Sequence, residues 1–415
     1  MNDTSERPTQ DDDATTAARP LAGVRVLDVS QVLAGPFTSM VLADLGCDVI
    51  KIEPPEGEAM RSSFGSIAAW GETPGFLSMN RNKRSVAIDL KSEEGLAVFR
   101  ELVKTADVVV QNFRPGVAKR LRISYQDLRS VNPRIICCSI SGFGSTGPLA
   151  TRSGYDMIAQ AMSGIMSITG EPGQAPCRAG VPVADIGAGL FAAAGVLGAL
   201  IGREKTGVGC EVEASLYDSG LAYTVWEATQ YWYTGEVPQA LGSGHRMNAP
   251  YQAFECADGY VTIAANNNRT WARLCDALEH PEWVDDPRLV TAEVRLRHTD
   301  VLTEKIEAAI AGMDRVAVEV LLERFQVPVG AVRSMDEVLD AEELVDGGMV
   351  QHGDYAGGAV RYLGSPIKLD GHRITGDGRR PPRLGEHVDE VLAELGFDAE
   401  QISRLRSAGV LAGRD

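Results

Sequence analysis

The feature that most constrains the fold is a regular alternation of apolar, β-branched runs and helical patterns through the first 220 residues. The helical patterns include residues 37–45, where Pro36 suits a helix start, and residues 93–105, which follow Ser92 as a cap. Parallel strands need such crossover segments, so the alternation predicts an α/β fold with a doubly wound, parallel sheet. The runs predicted to be strands are residues 24–30, 48–52, 85–90, 107–113, 135–141 and 211–215.

A change of texture after about residue 235 indicates a second domain. A stretch rich in Gly, Pro and Asn is followed by a strand pattern at 260–264 and three helical patterns up to about Phe325. Further on come a strand pattern at 328–332, a helical pattern at 335–344 and an amphipathic segment at 387–408. We predict a disordered leader (1–20), a large domain (21–230), a linker (231–255), a small α+β domain (256–330) and a linker with a C-terminal segment (331–415).

Composition argues against several kinds of partner and site. The formal net charge is −17, so we expect neither nucleic acid nor an anionic membrane as a partner. The seven cysteines show no metal-ligand spacing, so we expect no metal and a reducing, cytoplasmic location. Residues 1–20 lack the basic flank and apolar run of a secretion signal. The longest uncharged run, residues 186–202, is shorter than the roughly 20 residues that span a bilayer and predicts a buried helix.

A glycine motif invites a dinucleotide interpretation. Gly142-Phe-Gly144-Ser-Thr-Gly147 follows a predicted strand, as the G-x-G-x-x-G motif of an NAD-linked oxidoreductase does. However, it follows the fifth predicted strand instead of the first, and Pro148 stands where a phosphate-binding helix should continue. The pattern therefore favours a glycine-rich turn.

Asp185 stands at the start of the uncharged helix. An aspartate there is usually a helix cap, which stabilises the helix by roughly 1 kcal/mol. Alternatively, Gly187 and Gly189 would leave room for a substrate beside the carboxylate, and the helix start would keep it ionised, as a nucleophile requires. The residues alone leave both interpretations open.

Basic residues gather at consecutive strand ends, where open α/β sheets bind their ligands. Most surface lysines and arginines are only solvated, but in so acidic a chain this grouping predicts a phosphate pocket. The residues are Arg81, Lys83, Arg84, Lys91, Arg114, Lys119, Arg120 and Arg122. Among the histidines, His245 stands out because it lies in a site-like loop after Gly242 and Gly244.

Ten short motifs, taken together and in this order, carry a family resemblance. They are residues 27–36, 42–46, 49–54, 80–85, 107–116, 141–148, 153–156, 160–164, 183–185 and 203–209. With them the chain resembles the class III CoA-transferase family, also called the CaiB/BaiF family, from Pro20 to about Gly409.

The resemblance implies a Rossmann-like large domain that C-terminal segments complete, a small domain between long linkers, and two subunits threaded into an interlocked, ring-like homodimer. It implies that Asp185 is the catalytic nucleophile, that the glycine motif is a turn, and that Gly242, Gly244 and His245 form a substrate loop. It places CoA contacts at Leu33, Ala34, Ile88, Lys91, Asn112, Phe113, Arg114, Arg120, Arg152 and Tyr155.

The activity that the resemblance implies is transfer of CoA between carboxylic acids, with an acyl-CoA and a free acid as substrates and no metal or permanently bound cofactor. Asp185 would form a mixed anhydride and then an aspartyl-CoA thioester. Leu33 is apolar where the formate and oxalate branch is polar, which favours larger acids, and we expect succinyl-CoA as the donor.

The alternative is an α-methylacyl-CoA racemase of the same fold. Racemases carry a histidine where this chain has Tyr155, and an ordinary tyrosine, with a pKa of about 10, is a poor base at neutral pH. A non-catalytic CoA-binding protein is disfavoured because Asp185 is present. The sequence therefore favours transfer.

Overall fold

The computed structural model describes residues 19–63 and 71–413, so the predicted leader lies almost entirely outside the described residues. The chain forms two compact units. The first takes in the described residues up to Ile165, Ala179–Thr229 and those from Glu342 onward; the second takes in Met166–Arg178 and Gln230–Ala341. The sequence pattern did not indicate that residues 166–178 group with the second unit, and the predicted domain boundaries remain predictions.

Fourteen strands and seventeen α-helices occur in the described residues. The strands are β1 (Arg25–Asp28), β2 (Asp48–Glu53), β3 (Lys83–Ile88), β4 (Val108–Gln111), β5 (Ile136–Ser141), β6 (Glu211–Ser215), β7 (Tyr251–Cys256), β8 (Gly259–Ala264), β9 (Val329–Ala331), β10 (Val350–Tyr355), β11 (Gly358–Leu363), β12 (Lys368–Leu369), β13 (His372–Arg373) and β14 (Leu411–Ala412).

The helices alternate with the strands in the first unit and cluster in the second. They are α1 (Ala34–Asp44), α2 (Pro74–Met79), α3 (Glu93–Thr105), α4 (Val117–Arg120), α5 (Tyr125–Arg129), α6 (Asp156–Met162), α7 (Val183–Thr206), α8 (Leu216–Tyr223), α9 (Val225–Thr234), α10 (Asn268–Ala277), α11 (Ala292–Arg297), α12 (Thr299–Ile310), α13 (Arg315–Arg324), α14 (Met335–Leu339), α15 (Glu342–Asp346), α16 (Val388–Glu394) and α17 (Ala399–Ser407).

The first unit is built on a seven-stranded sheet in the order β14-β3-β2-β1-β4-β5-β6. Strands β1 to β6 pair in parallel, and β14 adds an antiparallel edge to β3. This confirms the predicted α/β fold with a largely parallel sheet, and all six predicted strands are present. The order 3-2-1-4-5-6 is that of a Rossmann-like sheet.

Side chains on the two faces of this sheet enter two separate cores. Leu27 of β1 packs on the face that α3, α16 and α17 cover, whereas its neighbour Val26 packs on the face that α1 and α7 cover. Strands buried on both faces read as continuous apolar runs, which is why the sequence marked them clearly. Helix α3 begins as predicted, because the Ser92 side chain accepts a hydrogen bond from the amide of Gly95.

Helix α7 is only partly buried, so the prediction of a buried helix is wrong for one of its faces. Its small residues, among them Ala188 and Ala192, pack into the core. On the opposite face Phe191 is 48% exposed and Ile201 is 64% exposed. The helix is long and apolar enough to cross a membrane, but the buried helix of a water-soluble protein meets the same criteria.

The second unit contains the antiparallel sheet β7-β8-β9. Its core includes Phe254, Trp271 and Leu322, which are all buried. The buried Arg295 donates hydrogen bonds to the carbonyl oxygens of Ala249 and Leu289, so its guanidinium is satisfied without a carboxylate. In the first unit, residues 350–363, for which no strand was predicted, form the hairpin β10–β11.

Charged residues lie inside the first unit, at the carboxyl end of β1. Asp28 and Lys83 are completely buried, and their carboxylate oxygen and ammonium nitrogen are 3.0 Å apart. The same oxygen accepts a hydrogen bond from the Ser39 hydroxyl at 2.6 Å. Burial would by itself raise the pKa of Asp28, but Lys51 and Lys83 outweigh it and hold that pKa well below its ordinary value.

We expect Asp28→Ala to lower the free energy of unfolding by about 3–5 kcal/mol, because it leaves the Lys83 ammonium buried without its counter-charge. Adding Lys83→Met should recover a large part of that loss, and urea denaturation of the single and double variants measures both effects. The exposed pair Lys104–Glu101 provides the control, since Glu101→Ala should change stability by less than about 1 kcal/mol. Additive losses for Asp28→Ala and Lys83→Met would contradict the coupling.

Candidate active site

Two adjoining cavities lie beyond the carboxyl ends of β1 and β4. These strands are neighbours at the centre of the sheet, where the strand order reverses and open α/β sheets bind their ligands. The loops that follow them supply Gln31, Phe113 and Arg114 to both cavities. A ligand can therefore extend from one cavity to the other.

The smaller cavity has a volume of about 280 Å³ and contains Asp185. Its apolar wall includes Ile140 and Leu216. Of the predicted CoA contacts, those that line it are Leu33, Ala34, Asn112, Phe113, Arg114, Arg152 and Tyr155.

The larger cavity has a volume of about 800 Å³. The remaining predicted CoA contacts, Ile88, Lys91 and Arg120, line it together with Arg122. Guanidinium and ammonium groups suit phosphate ligands. The walls also include the carboxylates of Glu53, Glu56, Glu58 and Asp89, so the cavity carries both charges and only its basic residues suit the phosphates of CoA. The structure thus brings every predicted CoA contact to one of the two cavities.

Three of the basic residues assigned to a phosphate pocket are used elsewhere. Arg81 forms a buried ion pair with Asp44, and Arg84 pairs with Asp48. Lys83 pairs with Asp28 below the sheet end. Their assignment to the phosphate pocket was wrong, because each side chain pairs with a carboxylate of the fold itself. Lys119 lines neither of the two cavities.

Asp185 does not cap its helix. The residue before α7 is Pro182, and Asp185 is the third residue of the helix. One carboxylate oxygen of Asp156 instead accepts hydrogen bonds from the amides of Ala184 and Asp185, at 2.9 and 3.3 Å. The side-chain amide of Gln160 donates a hydrogen bond of 2.6 Å to the other oxygen of Asp156, which fixes that carboxylate in place.

The Asp185 carboxylate forms no hydrogen bond or ion pair with any residue that the structure describes. Burial, with a further contribution from the negative charge of Asp156, raises the pKa of Asp185 to about 7. The expectation that the helix start keeps this carboxylate ionised is therefore wrong. The amides that would have stabilised the charge are bonded to Asp156.

We had expected Gly187 and Gly189 to make room for a substrate, and this expectation is wrong. Both glycines instead permit close packing of helices. A Cβ atom on Gly187 would lie 2.6 Å from the Tyr223 hydroxyl oxygen. A Cβ atom on Gly189 would lie 2.9 Å from the carbonyl oxygen of Ala34. The two glycines let α7 approach α8 and α1, and the space beside Asp185 comes from the loops that line the cavity.

The glycine motif is a turn, as expected. No helix starts within it or directly after it, and the next helix begins at Asp156. A Cβ on Gly142 would lie 2.5 Å from the Cα of Gly154, so the first glycine is required by a close approach of two backbone segments. The NAD-linked interpretation loses its structural basis, since a phosphate-binding helix must follow such a motif.

By the family resemblance, Tyr155 corresponds to the histidine of the racemases. It is 61% exposed, and its hydroxyl accepts a hydrogen bond of 3.4 Å from the Arg114 guanidinium.

The predicted substrate loop has an ordered backbone. Gly242 adopts a left-handed conformation at a φ of 59°, and the Gly244 amide donates a hydrogen bond to the carbonyl oxygen of Leu241. The His245 ring stacks on Tyr251 at 5.0 Å. The loop belongs to the second unit, and its role remains a prediction.

Sequence reasoning gave no role to Asp156, Gln31 or Val32, although each contributes to the site. Asp156 and Gln160 are four residues apart at the start of a helical pattern, so their contact could have been expected. Nothing in the sequence indicates that Asp156 accepts hydrogen bonds from the amides of a helix that begins nearly thirty residues later.

In the described residues no group of three or more His, Cys, Asp or Glu side chains is arranged to hold a metal ion.

Comparisons with known proteins agree on one family. The profile of CoA-transferase family III matches residues 21–388. Succinyl-CoA:glutarate CoA-transferase of Mus musculus is 35% identical, with the match covering 98% of this chain and 92% of the mouse protein. Succinyl-CoA:mesaconate CoA-transferase of Haloarcula hispanica is 38% identical, over 91% of this chain and 96% of that protein.

A solved structure gives the same result. The crystal structure of a CaiB/BaiF family protein from Brucella suis superposes with a TM-score of 0.82 at 36% identity, over 91% of this chain and 99% of that one. The named relatives are transferases, and Tyr155 replaces the histidine of the racemases, so the racemase alternative is not favoured. The chain is a CoA-transferase that belongs to CoA-transferase family III.

Proposed function

We propose that this enzyme transfers CoA from succinyl-CoA to a second carboxylic acid through covalent intermediates on Asp185. The observation that carries the proposal is a carboxylate without a described protein partner in a small cavity, next to a larger cavity whose walls include Lys91, Arg120 and Arg122. A side chain held in this way is available to a ligand. A carboxylate is also a competent nucleophile toward a thioester when its product can be released again.

The transfer would proceed through two mixed anhydrides and one thioester on Asp185. The Asp185 carboxylate attacks the thioester carbonyl, the carbon–sulfur bond breaks, and a mixed anhydride and a CoA thiolate form. The thiolate attacks the aspartyl carbonyl, so that succinate leaves and an aspartyl-CoA thioester remains. The acceptor carboxylate attacks that thioester, and the released thiolate then takes the new acyl group from the second anhydride. Asp185 is regenerated as a carboxylate.

The two cavities suit the two ends of an acyl-CoA. Lys91 and Arg120 would neutralise the phosphates in the larger cavity, which a chain of net charge −17 otherwise repels. The pantetheine arm would pass Phe113, which lines both cavities, and bring the thioester to Asp185. The first amides of α1, beside Leu33, have no intrahelical acceptors and would face the oxyanions.

A dicarboxylic acyl group fits the charges of the smaller cavity. The Arg152 guanidinium stacks on the Phe143 ring at 5.7 Å, and Arg114 bonds to Tyr155. Neither forms an ion pair with a carboxylate in residues 19–63 or 71–413. Each is therefore available for the distal carboxylate of a succinyl group, a donor that the names of the mouse and Haloarcula relatives also contain.

We expect incubation with succinyl-CoA to leave a CoA adduct on the peptide that contains Asp185, and hydroxylamine to convert it to a hydroxamate. Mass spectrometry detects both products. Asp218 occupies the same position in α8 that Asp185 occupies in α7, the third residue, so Asp218→Asn is the matched control. Asp185→Asn should abolish the adduct, and Asp218→Asn should retain it. Acetyl-CoA as an equally good donor would contradict the choice of succinyl-CoA.

We expect the pH dependence of kcat/KM to show a rising limb with a midpoint near 7, because Asp185 must be ionised to attack. Asp156→Asn keeps an oxygen for the helix amides but removes the charge, so the midpoint should move to lower pH. Asp218→Asn should leave the midpoint in place. A midpoint that stays unchanged in Asp156→Asn would show that the two carboxylates are not coupled.

The free energy of unfolding should also depend on the ionisation of Asp185. The pKa of Asp185 in the folded state lies above its ordinary value of 3.8, so the fold loses stability as the pH rises from about 4 to about 7. Asp185→Asn escapes this loss and should be about as stable as the unmodified protein at pH 4 but more stable at pH 8, by on the order of 4 kcal/mol. Urea denaturation at the two pH values measures the difference, and a less stable variant at pH 8 would contradict it.

An assembly of two chains is supported by surfaces that a single chain leaves open. In α9 no residue is buried, and Trp232 and Tyr233 are 76% and 87% exposed. Exposed aromatic surface of this extent is typical of an interface, and an interlocked homodimer would cover it.

A cytoplasmic location is consistent with the state of the cysteines, since the described ones are all free thiols.

We expect sedimentation to give a mass of about twice 44.4 kDa that persists on dilution, since interlocked chains separate only by partial unfolding. A monomer that accumulates on dilution would contradict the interlocked arrangement. Trp232→Arg should reduce the yield of folded dimer, whereas Arg297→Ala, which changes one exposed ion pair, should not.

A further inference from the structure

The loop between β1 and α1 has a strained backbone at the wall of both cavities. Gln31 lines both, and Val32 and Leu33 line the cavity that contains Asp185. Val32 has a φ of 69°, in the left-handed region that β-branched residues avoid. Such a conformation persists only where the surroundings enforce it.

The buried ion pair between Lys51 and Glu58 enforces the conformation of Val32. The Val32 amide donates a hydrogen bond of 2.8 Å to the Oε2 atom of Glu58. The Oε1 atom of Glu58 lies 2.9 Å from the Nζ atom of Lys51, and the Lys51 and Glu58 side chains are 0% and 3% exposed. Lys51 also donates a hydrogen bond of 2.7 Å to the carbonyl oxygen of Ser30. The pair therefore fixes the backbone on both sides of Gln31.

Asn112 fixes the same loop from the neighbouring strand. Its side chain accepts from the Gln31 amide at 2.9 Å and donates to the Gln31 carbonyl at 2.6 Å. The side-chain atoms predicted to contact CoA are thus already bonded to the loop. Together, Glu58, Lys51 and Asn112 hold the backbone groups that precede α1.

We infer that Glu58 and Lys51 are positioning residues, which keep Val32 in its left-handed conformation and so set the wall of the cavity that contains Asp185. A buried ion pair seldom stabilises a fold more than apolar residues of the same volume, so stability alone gives little reason for it here. Fixing a strained loop against a reacting group gives such a reason, because a displacement of about 1 Å costs a reaction roughly a hundredfold in rate. This inference rests on the proposed transfer at Asp185.

A double-mutant cycle tests it. Glycine adopts the left-handed conformation without strain, so it should make the clamp on residue 32 partly unnecessary. We compare the loss caused by Glu58→Ala with and without Val32→Gly, measuring kcat and KM for CoA transfer. With Val32 present, kcat should fall by about a hundredfold while KM for the acyl-CoA changes by less than about threefold. With Val32→Gly, the loss in kcat should be about tenfold or less.

Two further variants separate positioning from folding. If Glu58→Ala does not fold, the pair Lys51→Met/Glu58→Met leaves no unpaired charge and should show the same losses in the two backgrounds. Asp44→Ala breaks another buried ion pair, with Arg81, that does not touch the loop, and it should lower Tm without lowering kcat. Equal losses in both backgrounds, or a loss of kcat in Asp44→Ala as large as that in Glu58→Ala, would overturn the inference. An inactive starting enzyme would instead refute the proposed transfer.

Discussion

The ion pair between Asp28 and Lys83 is the interaction on which the rest of the first unit depends. It joins the end of β1 to the start of β3, and through Ser39 it reaches α1. Strand β2, between those two strands, contributes Lys51 to the same buried group. Three strands and one helix are therefore locked in register at the edge of the sheet where the cavities open. The desolvation cost of these charges is offset only while every partner stays in place.

The sequence predicted the first unit well because its strands are buried on both faces. Continuous apolar runs such as that of β4 can hardly belong anywhere but in the middle of a covered sheet. The β10–β11 hairpin was missed, since one of its faces is exposed and its apolar residues are few. For α7, apolar composition was equated with burial, although apolar surface can also await a partner.

At the site, the residue types were predictable and their local partners were not. The family resemblance implied the role of Asp185 and the ten CoA contacts, and all of these residues line the two cavities. Which basic residues face a ligand depended on buried carboxylates such as Asp44, whose location follows from tertiary structure. The protonation of Asp185 was misjudged for the same reason, because Asp156 reaches the helix amides from another helix. Pairings of this kind are not encoded in local sequence.

The antiparallel strand β14 links the two ends of the first unit, as Leu411 pairs with Ile88 across 323 residues of chain (411 − 88). During synthesis the edge of β3 stays open until that segment leaves the ribosome, which at 5–20 residues per second takes roughly 15–65 s. An open strand edge is a template for pairing with other chains. The nascent enzyme is therefore most exposed to aggregation before its last strand is made, and that interval is long enough for chaperones to bind it.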